Sequence, residues 1–285
     1  MINRRNFIKT GTYASIASIL PISSCSSSFA KKKELGLQIH SVRPQLTSDF
    51  NRTLEKIAEI GFKNIEAYGL GNDGLFIEKI TPKTYKKTLV DLGMNLLSTH
   101  INYFDLTHIN KIIDSCHEAG VKYGIIPIPP EEYRTSISKY KEFAEYLNKV
   151  GEKFNESGII FGFHNHDFLF YKLESEIPYE VLLNETEPKF VTFQADLYWM
   201  TKGGVNPLDL IYKFPGRFKS FHVKDIDKDN NRESVGLGII DFESILNARG
   251  TAGLQDYFIE DFRPDNDPFG KLKISFDYLM KSDFA

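Results

Sequence analysis

Ile159-Ile160-Phe161-Gly162-Phe163-His164-Asn165-His166-Asp167 is the stretch on which the fold turns. A short apolar run that closes on polar residues spaced two apart fits a buried parallel strand whose C-terminal end opens onto a site. Residues two apart in a strand share a face, so His164 and His166 are expected to project together. Seven further runs repeat the construction: Leu35 to Val42, Asn64 to Tyr68, Met94 to Asn102, Tyr123 to Ile128, Phe190 to Asp196, Arg217 to Asp225 and Tyr257 to Phe262. Their starts lie about 30 residues or somewhat more apart, the length of one strand-helix-strand unit.

Stretches of helical period separate these runs. In Phe50-x-x-x-Leu54-x-x-Ile57-Ala58-x-Ile60-Gly61 apolar residues fall at i, i+4, i+7 and i+8 before a glycine stop, as in an amphipathic helix packed on a sheet. Phe143 to Val150 and Phe242 to Leu246 repeat the pattern, and Pro82, Pro178 and Pro207 stand where helices two, five and six should begin. An open doubly wound sheet also alternates strands and helices. The count of eight favours an α/β fold of the (β/α)8 TIM-barrel type, and residues 35–285 match the usual barrel length of about 250 residues.

The first 30 residues stand apart from this domain. Asn3-Arg4-Arg5-Asn6-Phe7-Ile8-Lys9 precedes a weakly apolar run, Tyr13 to Ile22, too short to span a membrane as a mature helix. It reads as a cleaved export signal of twin-arginine type, and Ile22-Ser23-Ser24-Cys25 resembles a lipobox whose cysteine is acylated. Ordinary secretion with cleavage after Ala30 is the alternative. Either way the expected location is outside the cytoplasm, periplasmic or as a membrane-anchored lipoprotein of a bacterium, with the lipid as the sole membrane contact. Cys25 and Cys116 are the two cysteines, which argues against a disulfide framework, and Cys116 is expected to pack as a small apolar residue on a helix.

A formal net charge of −3 gives no basic surface for nucleic acid. Gly69-Leu70-Gly71-Asn72-Asp73-Gly74 matches a dinucleotide fingerprint, yet its glycines open no helix and the next strand ends in His100 and Asn102 where an acidic ribose ligand would be needed. No nucleotide cofactor is expected.

The polar strand ends carry the chemistry. Strand one ends in Gln38 and His40, strand two in Glu66 and Tyr68, strand three in His100 and Asn102, and strand five in His164 and His166. Strand six offers Gln194 and Asp196, strand seven His222 and Lys224, and strand eight Glu260, whereas strand four has no ionisable group. Five of the seven histidines lie on these ends. Unpaired buried imidazoles and carboxylates are costly, so such a cluster requires mutual pairing or a cation. Mixed imidazole and carboxylate ligands suit one divalent Mn, Zn, Co or Fe ion and leave its identity open.

His164-Asn165-His166-Asp167, Asp196-Leu197-Tyr198-Trp199, Phe221-His222-Val223-Lys224-Asp225, Gly236-x-Gly238-x-Ile240-Asp241-Phe242 and Phe258-Ile259-Glu260-Asp261, in this order, resemble the xylose-isomerase-like sugar isomerase and epimerase superfamily. Leu37-Gln38-Ile39-His40-Ser41-Val42-Arg43 resembles the same group, and the match covers nearly all of residues 35–285. The resemblance implies one divalent metal held at the ends of strands five to eight by Glu, Asp, His and Glu. Asp196, His222 and Glu260 correspond to the last three. His164 stands where the superfamily usually has the first glutamate, with His166 two residues on, so either histidine is open as the strand-five ligand.

The expected function is metal-dependent isomerisation or epimerisation of a non-phosphorylated sugar or keto-sugar through an enediolate-type intermediate. Glu260 or His166 would move the proton and Lys224 would steady negative charge or else pair with Asp225 at the rim. Glu66 would orient a substrate hydroxyl, act as a second acid, or pair with a neighbouring histidine. Gln38, His40, His100 and Trp199 are the expected substrate contacts, Trp199 as a stacking platform or a cap on the core. A keto-sugar dehydratase, lyase or hydratase of the same fold is the nearest alternative, since one base and a metal suffice to expel a β-substituent. A non-catalytic sugar-binding lipoprotein is the other. The sequence sets no oligomeric state.

Overall fold

The computed structural model describes residues 33–261 and 267–285. The export-signal and Cys25 expectations lie outside the described residues, as does Phe262. Among the described residues no helix is long and apolar enough to cross a membrane.

Eight parallel strands close into a barrel: β1 (Gly36–Gln38), β2 (Asn64–Leu70), β3 (Asn95–Ile101), β4 (Tyr123–Ile126), β5 (Ile160–His164), β6 (Thr192–Asp196), β7 (Ser220–Val223) and β8 (Asp256–Ile259). Each strand pairs with the next in sequence, and β8 returns to β1 through Gly36 beside Phe258 and Leu37 beside Ile259. The expected α/β barrel of eight units is the one observed.

Local chemistry sets the connecting helices. Asp49 Oδ1 accepts from Arg52 N at 3.0 Å and starts the helix Phe50–Ile60, which Gly61 ends in a left-handed conformation at φ 118°. Pro82, Pro178 and Pro207 each open a helix, Pro82–Asp91, Pro178–Glu185 and Pro207–Lys213. Cys116 is buried in the helix Ile109–Ala119 and forms no disulfide. Between sheet and helices the core is aromatic. Phe143, Phe163, Phe193 and Tyr179 follow one another edge to face, with centroids 5.6, 6.2 and 5.4 Å apart.

Every strand but β6 ends away from its expected residue, and the departures at β1, β5 and β7 bear on the site. β1 stops at Gln38 because Gln38 Oε1 accepts from His40 N at 3.0 Å and Ser41 Oγ donates to Gln38 O at 2.7 Å, turning Ile39–Val42 into a 3-10 segment. β5 stops at His164, and His166 leads instead into the 3-10 turn Asp167–Phe170. β7 stops at Val223. Asp225 belongs to a separate antiparallel ribbon in which Asp225–Ile226 pairs with Arg232–Glu233.

Candidate metal centre

His164 and Asp196 end β5 and β6, His222 lies in β7, and Glu260 follows β8. Asp196 and His222 are direct partners across the sheet, which puts their side chains at one level inside the barrel. One ligand atom from each of His164, Asp196, His222 and Glu260 falls within 4.8 Å of all the others. His222 Nδ1 is 3.1 Å from Glu260 Oε2 and 3.6 Å from Asp196 Oδ2, and His164 Nε2 is 3.4 Å from Asp196 Oδ2.

The far side of each group is already committed. His222 Nε2 meets Glu66 Oε1 at 2.5 Å, which commits that nitrogen and leaves Nδ1 as the one facing the cluster. His164 Nδ1 lies 3.4 Å from the carbonyl of Pro127, which directs the Nε2 lone pair inward. Asp196 Oδ1 accepts from Trp199 N at 2.9 Å, capping the helix Leu197–Lys202 and leaving Oδ2 for the cluster. Pro127 gives strand four a role through its backbone, which no side-chain pattern announces.

Glu66 is fully buried beneath this cluster. Its Oε1 accepts from Gln38 Nε2 at 2.8 Å, and its Oε2 accepts from Ser98 Oγ at 2.6 Å and Gln194 Nε2 at 2.7 Å. Burial alone would raise its pKa, but His100 and His222 outweigh that and hold the carboxyl well below the usual range. His222 responds in the opposite sense: burial disfavours its charge, while Glu66, Asp196 and Glu260 raise its pKa well above the ordinary value. Burial likewise opposes ionisation of Asp196 and Glu260, and Lys224 together with the histidines overrides it. His164 is pulled down to about 4 by burial, against the hydrogen bond of Asp196, and is neutral near pH 7. Ser98 and Ser220, each two residues before a named histidine, complete the buried network, with Gln194 Nε2 3.2 Å from Ser220 Oγ.

Above the cluster opens a cavity of about 280 Å³, bordered by Gln38, His40, His100, His164, His166, Trp199, Lys224 and Glu260. Every residue expected to meet substrate except Glu66 is thus on its wall. Glu66, Asp196 and His222 lie below, with no exposed surface. Gln38 commits both ends of its amide internally, to Glu66 and to His40 N. His100 Nε2 is 2.8 Å from Gln194 Oε1. His40 Nδ1 lies 3.6 Å from Glu260 Oε1. His166 is packed against His164, Phe168 and Trp199, and its buried Nδ1 has no partner among the described residues. Burial, then the neighbouring His164, lowers it to about 3.

Lys224 Nζ sits 3.2 Å from Glu260 Oε2 and 3.9 Å from Asp196 Oδ2, and 5.1 Å over the Trp199 ring. The alternative pairing with Asp225 is not formed. Asp225 instead accepts four backbone N–H groups, from Ile226 at 2.9 Å, Gly236 and Gly238 at 3.0 Å and Ile240 at 3.2 Å. Gly238 approaches Asp225 and Ile226 O so closely that a Cβ would overlap both, and Gly236 combines φ 89° with contact on the Tyr278 ring. That explains the Gly236-x-Gly238 spacing. Arg232 of the ribbon also borders the cavity and had no distinguishing signal in the sequence.

A closed eight-stranded parallel barrel with convergent donors at the C-terminal strand ends defines a (β/α)8 barrel with its site at the usual face. The chain belongs to the xylose isomerase-like TIM barrel family, whose family model matches residues 54–281. An inosose dehydratase of Clostridium beijerinckii is 24% identical over 200 residues, 59% of this chain and 65% of the relative. The chain thus spans less than two thirds of that curated relative's length. Among solved structures, a sugar phosphate isomerase/epimerase from Parabacteroides distasonis superposes with TM-score 0.80 at 26% identity, covering 93% of this chain and 99% of that one. The IolI protein with a bound zinc atom superposes with TM-score 0.64 at 16% identity, covering 88% and 98%.

Proposed function

We propose that this protein is a divalent-metal-dependent enzyme that isomerises or epimerises a non-phosphorylated sugar or keto-sugar by moving a proton next to a carbonyl. One observation carries the proposal: two imidazoles have their outer nitrogens tied to Glu66 and Pro127 O, so their inner nitrogens converge with two carboxylates. This arrangement, with outer partners orienting each ligand, is how proteins build metal sites. The residues that would hold the ion are His164, Asp196, His222 and Glu260, and Mn, Zn, Co and Fe all suit the mixed donors. When bound, such an ion supplies Lewis acidity to a substrate oxygen that gains charge.

The remaining roles fall to residues on the cavity wall. Glu260 and His166 border the cavity, and each can accept a proton from the carbon beside the carbonyl and return it, His166 because burial keeps it neutral. Lys224, held against Glu260, steadies the negative charge that develops. Gln38, His40, His100 and Trp199 shape the cavity around the substrate. Glu66 we assign to positioning His222, because it has no surface facing the cavity.

A second reading, a dehydratase or lyase on a keto-sugar, is favoured by the inosose dehydratase relative and by His164 at the position where the superfamily carries a glutamate. Incubation with candidate sugars and keto-sugars in deuterated water, followed by NMR, separates the readings. Deuterium entry into a product of otherwise unchanged mass formula supports isomerase chemistry, and loss of water or an alcohol supports the lyase. Stoichiometric metal that disappears in His222→Ala is expected under both. Metal-free protein that still binds sugar would overturn both in favour of a binding protein.

We further propose that the protein is exported and lipid-anchored at Cys25. The twin arginines and the lipobox-like Ile22-Ser23-Ser24-Cys25 support this. Metabolic labelling with a fatty acid, lost in Cys25→Ala, tests it.

A further inference from the structure

The cavity over the metal centre is not closed on all sides. Gly69 and Asn102 on its rim are also walls of a second cleft, about 370 Å³, formed by the Gly71–Lys79 loop. From this continuity we infer that the substrate is a glycoside or disaccharide, with the reacting ring over the metal centre and a second, neutral ring in the cleft beyond Gly69 and Asn102. The inference rests on the sugar chemistry proposed above and extends it to the size of the substrate.

The first cavity is near the lower bound for sites that enclose drug-sized ligands, room for one ring. A substituent on that ring must leave over the rim. Gly69 has no side chain to block the passage, and a Cβ built there meets only Ile77, at 3.8 Å and beyond. Asn102 commits its backbone N–H to Leu70 O at 3.0 Å, while its side-chain amide has no hydrogen bond among the described residues and stands between the two spaces. A free amide donor and acceptor at that point suits a bridging oxygen or a ring hydroxyl.

The chemistry of the cleft selects the class of its occupant. Asp73 and Lys79 on its wall are paired at 2.6 Å, and Glu78 accepts from Thr47 Oγ1 at 3.2 Å. Two carboxylates against one amine, the amine already paired, repel a phosphate or carboxylate substituent. Neutral hydroxyl groups meet no such penalty. Glu78 and Lys79 both have left-handed backbones, φ 55° and 59°, a conformation that non-glycine residues keep only where the surroundings impose it. Here it places both residues on the cleft wall.

Saturation-transfer NMR and calorimetry on the metal-loaded protein test the assignment, with D-glucose and D-galactose compared against maltose, cellobiose, lactose and melibiose. At least one disaccharide should bind tenfold or more tightly than the monosaccharide of its own ring. Gly71→Phe, at a position without positive φ, fills the cleft and should bring that ratio close to one. Asn102→Ala should lower it severalfold and keeps the test decisive if Gly71→Phe does not fold. Monosaccharide binding with no gain from any second ring overturns the cleft assignment alone. A gain that neither variant alters overturns it as well. If no sugar of either size binds to metal-loaded protein, the sugar chemistry falls, and the second subsite with it.

Discussion

Glu66→Gln separates a positioning carboxylate from a catalytic one. The wild-type carboxylate accepts from Gln38 and His222 on one oxygen and from Ser98 and Gln194 on the other. A glutamine amide cannot satisfy all four. With its nitrogen toward Gln38 and His222, two donors confront a donor. Turned the other way, Ser98 can rotate to accept, but Gln194 cannot turn without abandoning His100. At least one buried donor is therefore unmet, at a cost of about 1–3 kcal/mol, and the charge-assisted bond to His222 becomes neutral. The sum is about 2–4 kcal/mol, a fall in Tm of roughly 5–15 °C for a domain of this size. With His222 less firmly oriented, metal affinity should drop by about 10–100-fold. Thermal denaturation and metal titration by calorimetry read the two effects. An unchanged Tm and metal affinity with a large loss of kcat would refute the positioning role and restore Glu66 as an acid acting on substrate.

His164→Ala should weaken metal binding by at least the ~10–100-fold typical of losing an outer partner, whereas His164→Glu should retain a metal; equal affinity of both variants, measured by competition with a chelator, would remove His164 from the ligand set. Asp225→Ala leaves four backbone N–H groups without their acceptor and should cost about 2–4 kcal/mol. Its signature is faster amide exchange at Gly236, Gly238 and Ile240, with new proteolysis near the exposed Leu237 and Ile239, and unchanged exchange there would refute the clamp. Cys116 has its thiol pKa pushed up to about 12 by burial, so the reactive thiolate is absent at pH 8. Iodoacetamide should leave it unlabelled in the folded protein and label it after denaturation, and labelling of the native protein at that pH would contradict the packing described.

The strands were legible because burial of both faces writes itself into composition, and the helix starts because proline and aspartate act locally. Strand ends were less so. β1 ends at Gln38 through bonds that its side chain and carbonyl make within three residues, and apolar spacing carries no trace of them. The pairing of Glu66 with His222 spans 156 residues of sequence, and the Pro127 carbonyl that orients His164 is a group every residue possesses.

Spacing by two proved a true guide to direction and a poor one to depth. Glu66 and Tyr68 point the same way, as do His222 and Lys224, yet Tyr68 and Lys224 border the cavity while Glu66 and His222 lie beneath it. One such step is about 6–7 Å along a strand, enough to separate a group that touches substrate from one that holds a ligand in place. Depth is set by the stagger between strands on closing the barrel, a property of the eight together. That is why Glu66, read from its own strand, was compatible with acid, orienter or partner, and why only the closed barrel puts it under His222.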